Sequence, residues 1–145
     1  MDIVRIIENI CVELDYQFHY GNKSHINLID QGGNTLPDKT HLLLFPVRRG
    51  IKNYDSNSRN YSGSFLFVRP DDFVQDYYNN TNSSETQDKF TTKIEPLITE
   101  LNSFENRLSY CDGFDINQFE ATEIVDTLDA NMTGLWVTFN VVYYE

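Results

Sequence analysis

Three histidines are the side chains of this chain best suited to metal binding or proton transfer. His19, His25 and His41 all lie in or beside segments that the sequence predicts to be strands. If two of these segments form a hairpin, His19 and His25 could face each other and bind a metal ion, although isolated strand histidines are more often simply hydrogen-bonded. Three histidines without a cluster of carboxylates do not define a metal centre, so we expect no metal and no cofactor.

Other catalytic patterns are missing from the sequence. Gly32-Gly33 lacks the Lys-Ser/Thr pair of a phosphate-binding loop, and no G-x-S-x-G nucleophile motif occurs. Asp71-Asp72 follows a proline and is typical of a helix cap. Asp112 and Asp115 resemble part of a calcium loop but lack its remaining ligands, which favours a turn. We therefore expect that the protein is not an enzyme.

Two cysteines, Cys11 and Cys111, have neither a CxxC partner nor a histidine at metal-ligand spacing. Cys11 ends an apolar helical stretch and is interpreted as a core residue. The first residues, Met1–Arg5, lack the layout of a signal peptide, and nothing else suggests secretion. The sequence therefore favours synthesis in a reducing cytoplasm.

Composition limits the class of protein. The chain has 145 residues, of which 40% are hydrophobic and 14% aromatic, which predicts one packed domain covering residues 1–145. Its formal net charge of -11 argues against a nonspecific grip on nucleic acid or on an anionic membrane. No apolar run approaches the roughly 20 residues that span a bilayer.

Apolar periodicity predicts the elements that would position these residues. Ile3, Ile6, Ile7 and Ile10 predict a helix over 2–12, and alternation then predicts a strand over 12–20. Further strands are expected over 26–29, 41–47 and 61–69, with a long exposed hairpin loop over 48–60 and one or two helical turns over 71–78.

The second half of the chain is predicted to hold one long helix and two long strands. The helix covers 85–109, with a kink or restart at Pro96, and the strands cover 117–128 and 132–144. Successive hairpins without βαβ alternation predict an α+β fold. Its antiparallel or mixed sheet would carry both helices packed on it.

Charge is distributed unevenly along the chain. Residues 1–69 carry 8 Lys/Arg and 7 Asp/Glu, whereas residues 70–145 carry 3 and 15. The loop over 48–60 is locally basic, with only Asp55 opposing its four cations, which are Arg48, Arg49, Lys52 and Arg59. Such a loop could bind an acidic surface, including another copy of this chain, or could simply be solvated.

Several segments together resemble small head–tail ring and tail-terminator proteins of tailed bacteriophages, particularly of Bacteroidetes phages including crAss-like phages. They are the leading helix, the strand His41–Val47, the long hairpin loop, the strand Tyr61–Val68, the helix Phe90–Leu108 with its Ile94-Glu-Pro-Leu97, and the closing hairpin with Gly134–Asn140. The resemblance covers nearly the whole chain but includes no functional motif.

The resemblance implies a structural virion protein located in the phage neck or tail and made in the bacterial host cytoplasm. Such proteins form rings of six or twelve copies that join portal or head to tail. DNA passes through the lumen, neighbouring neck, portal or tail proteins lie above and below, and no catalysis, cofactor or membrane is involved. The hairpin loop would reach a neighbouring subunit or ring, with charge contacts from Arg48, Arg49, Lys52 and Arg59 and apolar contacts from Ile51 and Tyr54.

Two other interpretations remain open from the sequence. The protein could occupy another level of the neck, as a portal adaptor or stopper. It could instead be a regulatory protein of a phage or host that binds a basic partner through its acidic C-terminal half.

Overall fold

The structure is a computed structural model that describes residues 2–21, 39–70, 90–127 and 132–145. In chain order its elements are α1 (Ile3–Leu14), β1 (Gln17–Tyr20), β2 (His41–Leu44), β3 (Arg48–Asn53), β4 (Ser58–Pro70), a π-helical turn (Phe90–Ile94), α2 (Glu95–Ser109), β5 (Phe114–Thr127) and β6 (Met132–Tyr144). The strand predicted over 26–29, its hairpin with β1 and the helical turns predicted over 71–78 lie outside the described residues.

The six strands form one mixed sheet, which confirms the predicted α+β fold class. The strand order is β1-β2-β4-β6-β5, and β3 lies beside β4 on the same side as β2. All pairs are antiparallel except β1 with β2, which run parallel in the register Gln17↔His41 to Tyr20↔Leu44. The long β4–β6 pair, from Ser58↔Tyr144 to Pro70↔Met132, is the centre of the sheet.

Helix α1 is longer than predicted, and the strand predicted over 12–20 is wrong over its first half. Asp2 caps the helix by accepting a hydrogen bond from the Val4 amide, and the helix ends at Asp15 in the left-handed conformation. Val12 is 74% exposed because it lies on the solvent side of the helix. The apolar residues Val12 and Leu14 alternate as in a strand, but Leu14 also continues the apolar face of the helix, so the alternation did not distinguish the two.

Both helices contribute to one core on one face of the sheet, called here the helix face. Residues of α1 and α2 are buried with alternate residues of β2, β4 and β6, and Phe104 lies at the centre. The Phe104 ring centroid is 5.6 Å from that of Phe65 and 6.5 Å from that of Phe67. The remaining sheet side chains lie on the second face, where Leu43, Leu66 and Val68 form a smaller buried cluster.

Helix α2 begins where the sequence predicted an interruption. Glu95 and Pro96 start the α-helix directly after the π-helical turn, which suits proline because it has no amide hydrogen to donate.

A polar anchor then joins α2 to the sheet. The Glu100 carboxylate accepts from Arg69 Nη2 at 2.5 Å and from the Thr40 hydroxyl, while Arg69 Nε donates to Thr40 Oγ1 at 3.1 Å.

The long exposed loop predicted over 48–60 is wrong. Residues 48–53 form β3, and β4 already begins at Ser58, so only four residues remain as a turn. The segment lacks apolar periodicity because β3 lies at the periphery of the sheet and contributes little to the core. Main-chain pairing with β4 replaces side-chain burial as the source of its order.

Candidate interaction site

The site predicted by sequence is a tight β-hairpin formed by β3 and the start of β4. Its pairs run from Arg48↔Ser62 to Asn53↔Ser58, with an irregularity between Arg49 and Lys52. The Asn53 side chain stabilises the turn, because its Oδ1 accepts from the amides of Asp55 at 3.1 Å and Ser56 at 3.4 Å. The turn ends at Asn57, whose φ of 52° is left-handed.

Three of the four hairpin cations make contacts within the chain. Arg49 Nη2 lies 2.8 Å from Asp2 Oδ2, Lys52 Nζ lies 3.4 Å from Glu145 Oε2, and Arg59 Nη1 donates to the Gly50 carbonyl at 2.7 Å. Although partial burial raises the pKa of Asp2, hydrogen bonds from Arg49 and Val4 and the charge of Arg49 outweigh it, so the Asp2 pKa is lowered. The ion pairs of Arg49 and Lys52 hold the hairpin against the start of α1 and the C-terminus, which reduces the positive charge that the hairpin can offer a partner.

Of the six predicted contact residues, Arg48, Ile51 and Tyr54 are exposed and take no part in these three contacts. Ile51 is 93% exposed and Tyr54 is 84% exposed. The Lys52 ammonium lies 5.6 Å from the centroid of the Tyr54 ring, which restricts that ring without covering it. No described residue forms an ion pair with Arg48. The structure therefore divides the six predicted contact residues into three that hold the hairpin and three that a partner could reach.

A shallow groove on the second face, next to the hairpin, was not predicted from the sequence. The residues that line it include Arg48, Ser62, Ser64, Thr138 and the partly exposed Trp136. Trp136 is 38% exposed, and its ring centroid lies 5.3 Å from that of Phe45. Strand alternation places Trp136 and Thr138 on one face, but only the register of β4 with β6 brings Arg48 beside them.

Strand β5 forms the far edge of the sheet, and its residues 120–123 are exposed on both faces. Asp115, Glu120 and Glu123 are all exposed, as are Ala121 and Thr122. The excess of acidic residues in the second half of the sequence indicated that an acidic surface would be present. Its location on an edge strand could not be inferred, because that depends on the strand order.

His19 contacts His41, whereas the predicted hairpin pair of His19 with His25 lies outside the described residues. His19 Nε2 lies 3.1 Å from Nδ1 of the fully buried His41, and the two rings stack with centroids 5.3 Å apart. This contact follows from the parallel pairing of β1 with β2, whereas His25 lies outside the described residues. Within the described ranges, no three His, Cys, Asp or Glu side chains are close enough to hold a metal ion.

The two cysteines are free thiols in different environments. Cys11 is fully buried, and burial, with a smaller contribution from Glu8, raises its pKa to about 12, so it stays protonated at neutral pH. Cys111 is partly exposed and accepts a contact from Arg107 Nη1 at 3.5 Å. Neither forms part of a nucleophilic site among the described residues.

Comparison with family models, with curated proteins and with solved structures finds no match to this chain. Among the described helices, none is long and apolar enough to cross a bilayer.

Proposed function

We propose that the protein is a structural virion protein of a tailed bacteriophage that forms an oligomeric ring in the neck or tail. It acts as a tail terminator or head–tail connector and joins portal or head to tail. The observation that carries the proposal is the hairpin, which presents two large, mostly exposed side chains, Ile51 at the irregularity of β3 and Tyr54 in the turn. Large exposed apolar residues that are held in place are typical of protein contact sites.

The hairpin is preorganised for binding, which supports this role. Arg49 and Lys52 connect it to Asp2 and Glu145, and β4 continues from it into the centre of the sheet. A partner that binds Ile51 and Tyr54 therefore orders few additional residues, so less conformational entropy opposes binding. This is favourable in a ring, where every copy must offer the same contact in the same geometry.

The charge of the chain is compatible with DNA passing through such a ring. A formal net charge of -11 disfavours attraction of phosphates to the protein surface. A lumen that repels DNA lets the genome slide, whereas a basic lumen would retain it.

The experiment tests the double variant Ile51→Ser with Tyr54→Ser in the parent phage. Deleting Ile51–Asn60 would be less informative, because it also removes the buried Ser58 and three β4–β6 pairs. We expect the double variant to fold with unchanged stability but to be missing from purified virions. Val12→Ser, at another highly exposed apolar residue, is the matched control and should be incorporated normally. Incorporation of the double variant at the wild-type copy number would contradict the proposal.

The exposed acidic strand β5 favours a second candidate function, a regulatory protein that binds a basic partner. Asp115, Glu120 and Glu123 form an acidic strip along the edge of the sheet. A pull-down that recovers one basic partner without self-association, and loses it in the Glu120→Lys, Glu123→Lys variant, would favour this function over the ring.

A further inference from the structure

The groove on the second face is built by the sheet itself. It has a volume of about 390 Å³, and its lining comes from β3, β4, β5, β6 and the short link between β2 and β3. Both described helices pack on the helix face, so neither of them covers it. A surface of this kind, formed by side chains on paired strands, has a fixed spacing that a ligand can match.

The strand register arranges uncharged polar side chains on this surface in two rows. Ser62 pairs with Asn140, which pairs with Gln118, and Ser64 pairs with Thr138. Side chains that pair directly share a face and lie about 5 Å apart, and rows two residues apart along the strands are about 7 Å apart. The five side chains therefore form a small, flat array of hydroxyl and carboxamide groups.

Most of the hydrogen-bonding capacity of this array is unused within the described part of the chain. Asn140 Oδ1 accepts from Asn117 Nδ2 at 3.2 Å. The other four side chains of the array form no hydrogen bond with a described residue. Hydroxyl and carboxamide groups both donate and accept, so the array offers both functions to a ligand.

Trp136 adds an apolar surface at one end of the array. It lies on β6 two residues before Thr138, on the same face of the sheet, and is 38% exposed. Its ring centroid lies 5.3 Å from that of Phe45, at an interplanar angle of 30°, so Phe45 supports the indole while part of it stays in contact with solvent. An aromatic ring beside free hydroxyl and carboxamide groups matches a sugar ring, which has an apolar C–H face and a rim of hydroxyls.

The lining disfavours other classes of ligand. Arg48 is the one charged residue among the described residues that line the groove, and the net charge of -11 opposes binding of a nucleic acid. A wholly apolar ligand would remove the hydroxyl and carboxamide groups from water without giving them partners, which is unfavourable. A saccharide gives these groups partners, and it carries little or no charge.

The length of the groove indicates how large the saccharide is. Arg48 pairs with Ser62, whereas Trp136 pairs with Leu66, so the two ends are separated by four residues along β4, about 13 Å. That distance is suited to a saccharide of two linked rings. The Arg48 guanidinium can donate to hydroxyls or to a carboxylate at the end away from Trp136.

We propose that this groove binds a saccharide of at least two rings. One ring lies against Trp136, its hydroxyls bond to Ser64, Thr138 and Asn140, and the second ring reaches Arg48. The site goes beyond the proposed function and does not depend on it, because it involves the sheet surface rather than Ile51 and Tyr54 of the hairpin.

The first test uses the fluorescence of Trp136, which is the one tryptophan of the chain. The full chain is titrated with three disaccharides: cellobiose, N,N′-diacetylchitobiose and cellobiouronic acid, which differs from cellobiose in carrying a carboxylate. We expect a saturable change in emission with at least one of them, in the millimolar range, and none with sorbitol, which has hydroxyls but no ring face. Absence of a saturable change with all three, together with no heat of binding in calorimetry, would overturn the proposal.

The second test assigns the binding to the groove. Thr138→Val and Gln118→Ala each remove polar groups of the array, and each should weaken binding roughly three- to tenfold, as expected for the loss of one or two hydrogen bonds. Valine is well suited to a strand, so the first variant should stay folded, which circular dichroism can check. Thr99→Val, at an exposed threonine on α2, is the matched control and should bind as wild type does. Unchanged binding by both groove variants would overturn the assignment of the site.

These results also separate the saccharide from another occupant and from the phage role. If a second copy of the chain covers the groove, the emission of Trp136 should change on dilution of the protein alone and the disaccharides should not bind, which would contradict this inference. Disaccharide binding by a protein that is missing from virions would support this inference and contradict the proposed function.

Discussion

Removal of the Glu100 carboxylate tests how α2 is attached to the sheet. Glu100 lies on α2. Its partner Arg69 is near the end of β4, and its partner Thr40 directly precedes β2. Glu100 and Arg69 side chains are each 27% exposed, and Thr40 is 2% exposed. Glu100→Ala therefore leaves a mostly buried guanidinium and a buried hydroxyl without their acceptor.

The expected loss follows from the two hydrogen bonds. A hydrogen bond to a charged group contributes about 1.5–3 kcal/mol, so two contribute about 3–6 kcal/mol when fully buried, and the partial exposure of this pair lowers the total to the bottom of that range or slightly below it. We expect Glu100→Ala to lower the free energy of unfolding by about 2–3 kcal/mol. For a chain of this length that corresponds to a decrease in Tm of roughly 5–10 °C.

Urea unfolding followed by circular dichroism measures this loss, with Glu105→Ala as a control on the same helix. Glu105 makes no ion pair among the described residues, so its removal should cost less than about 0.5 kcal/mol. A double-mutant cycle with Arg69→Ala should show coupling of about 1 kcal/mol or more. Equal small losses for Glu100→Ala and Glu105→Ala would refute the anchor.

Three further predictions concern single residues. In the native protein, a thiol reagent should modify Cys111 and leave Cys11 unmodified, and both should react in denaturant, as mass spectrometry can show. Gly134→Ala should destabilise the fold strongly, by about 2 kcal/mol or more in urea unfolding, because its Cβ would lie 2.2 Å from a carbonyl oxygen of the facing strand. The wild type should have a higher free energy of unfolding than Asp2→Ala. This difference should be largest above the ordinary pKa of 3.8 and should decrease as the pH falls through the lowered pKa of Asp2. Acid titration of the unfolding midpoint measures it, and an undiminished difference at low pH would contradict the Arg49 pairing.

Buried apolar periodicity allowed much of the fold to be predicted. Five of the seven apolar residues that predicted the long helix are buried, whereas Phe90 is half-buried and Ile98 is exposed. The five are Ile94, Leu97, Leu101, Phe104 and Leu108. The predicted closing strand 132–144 matches β6. Each of these segments packs against the same core, so the spacing of its apolar residues directly indicates a helix or a strand. The order of elements predicted an antiparallel or mixed sheet, without deciding between the two.

Edge elements could not be predicted in the same way. β3 is ordered by main-chain pairing with β4, and its side chains reach solvent, so its sequence resembles that of a loop. The parallel pairing of β1 with β2 is a long-range contact that no local pattern specifies. For the same reason, the contact of His19 with His41 could not be anticipated.

The candidate site was proposed from the sequence, and the structure adds the contacts that its residues make within the chain. Sequence indicated a basic hairpin with Ile51 and Tyr54, but Asp2 and Glu145, which pair with two of its cations, are distant in the chain. The acidic second half was visible as composition, whereas its concentration on the edge strand β5 depends on the sheet order.

A cryo-electron microscopy map of the neck and tail of the parent phage particle tests the central claim most directly. Under the proposed function we expect a ring of six or twelve copies of this chain around the DNA path, with the hairpin of each copy, including Ile51 and Tyr54, in contact with a neighbouring subunit. A map whose neck and tail densities are fully explained by other proteins would contradict the account.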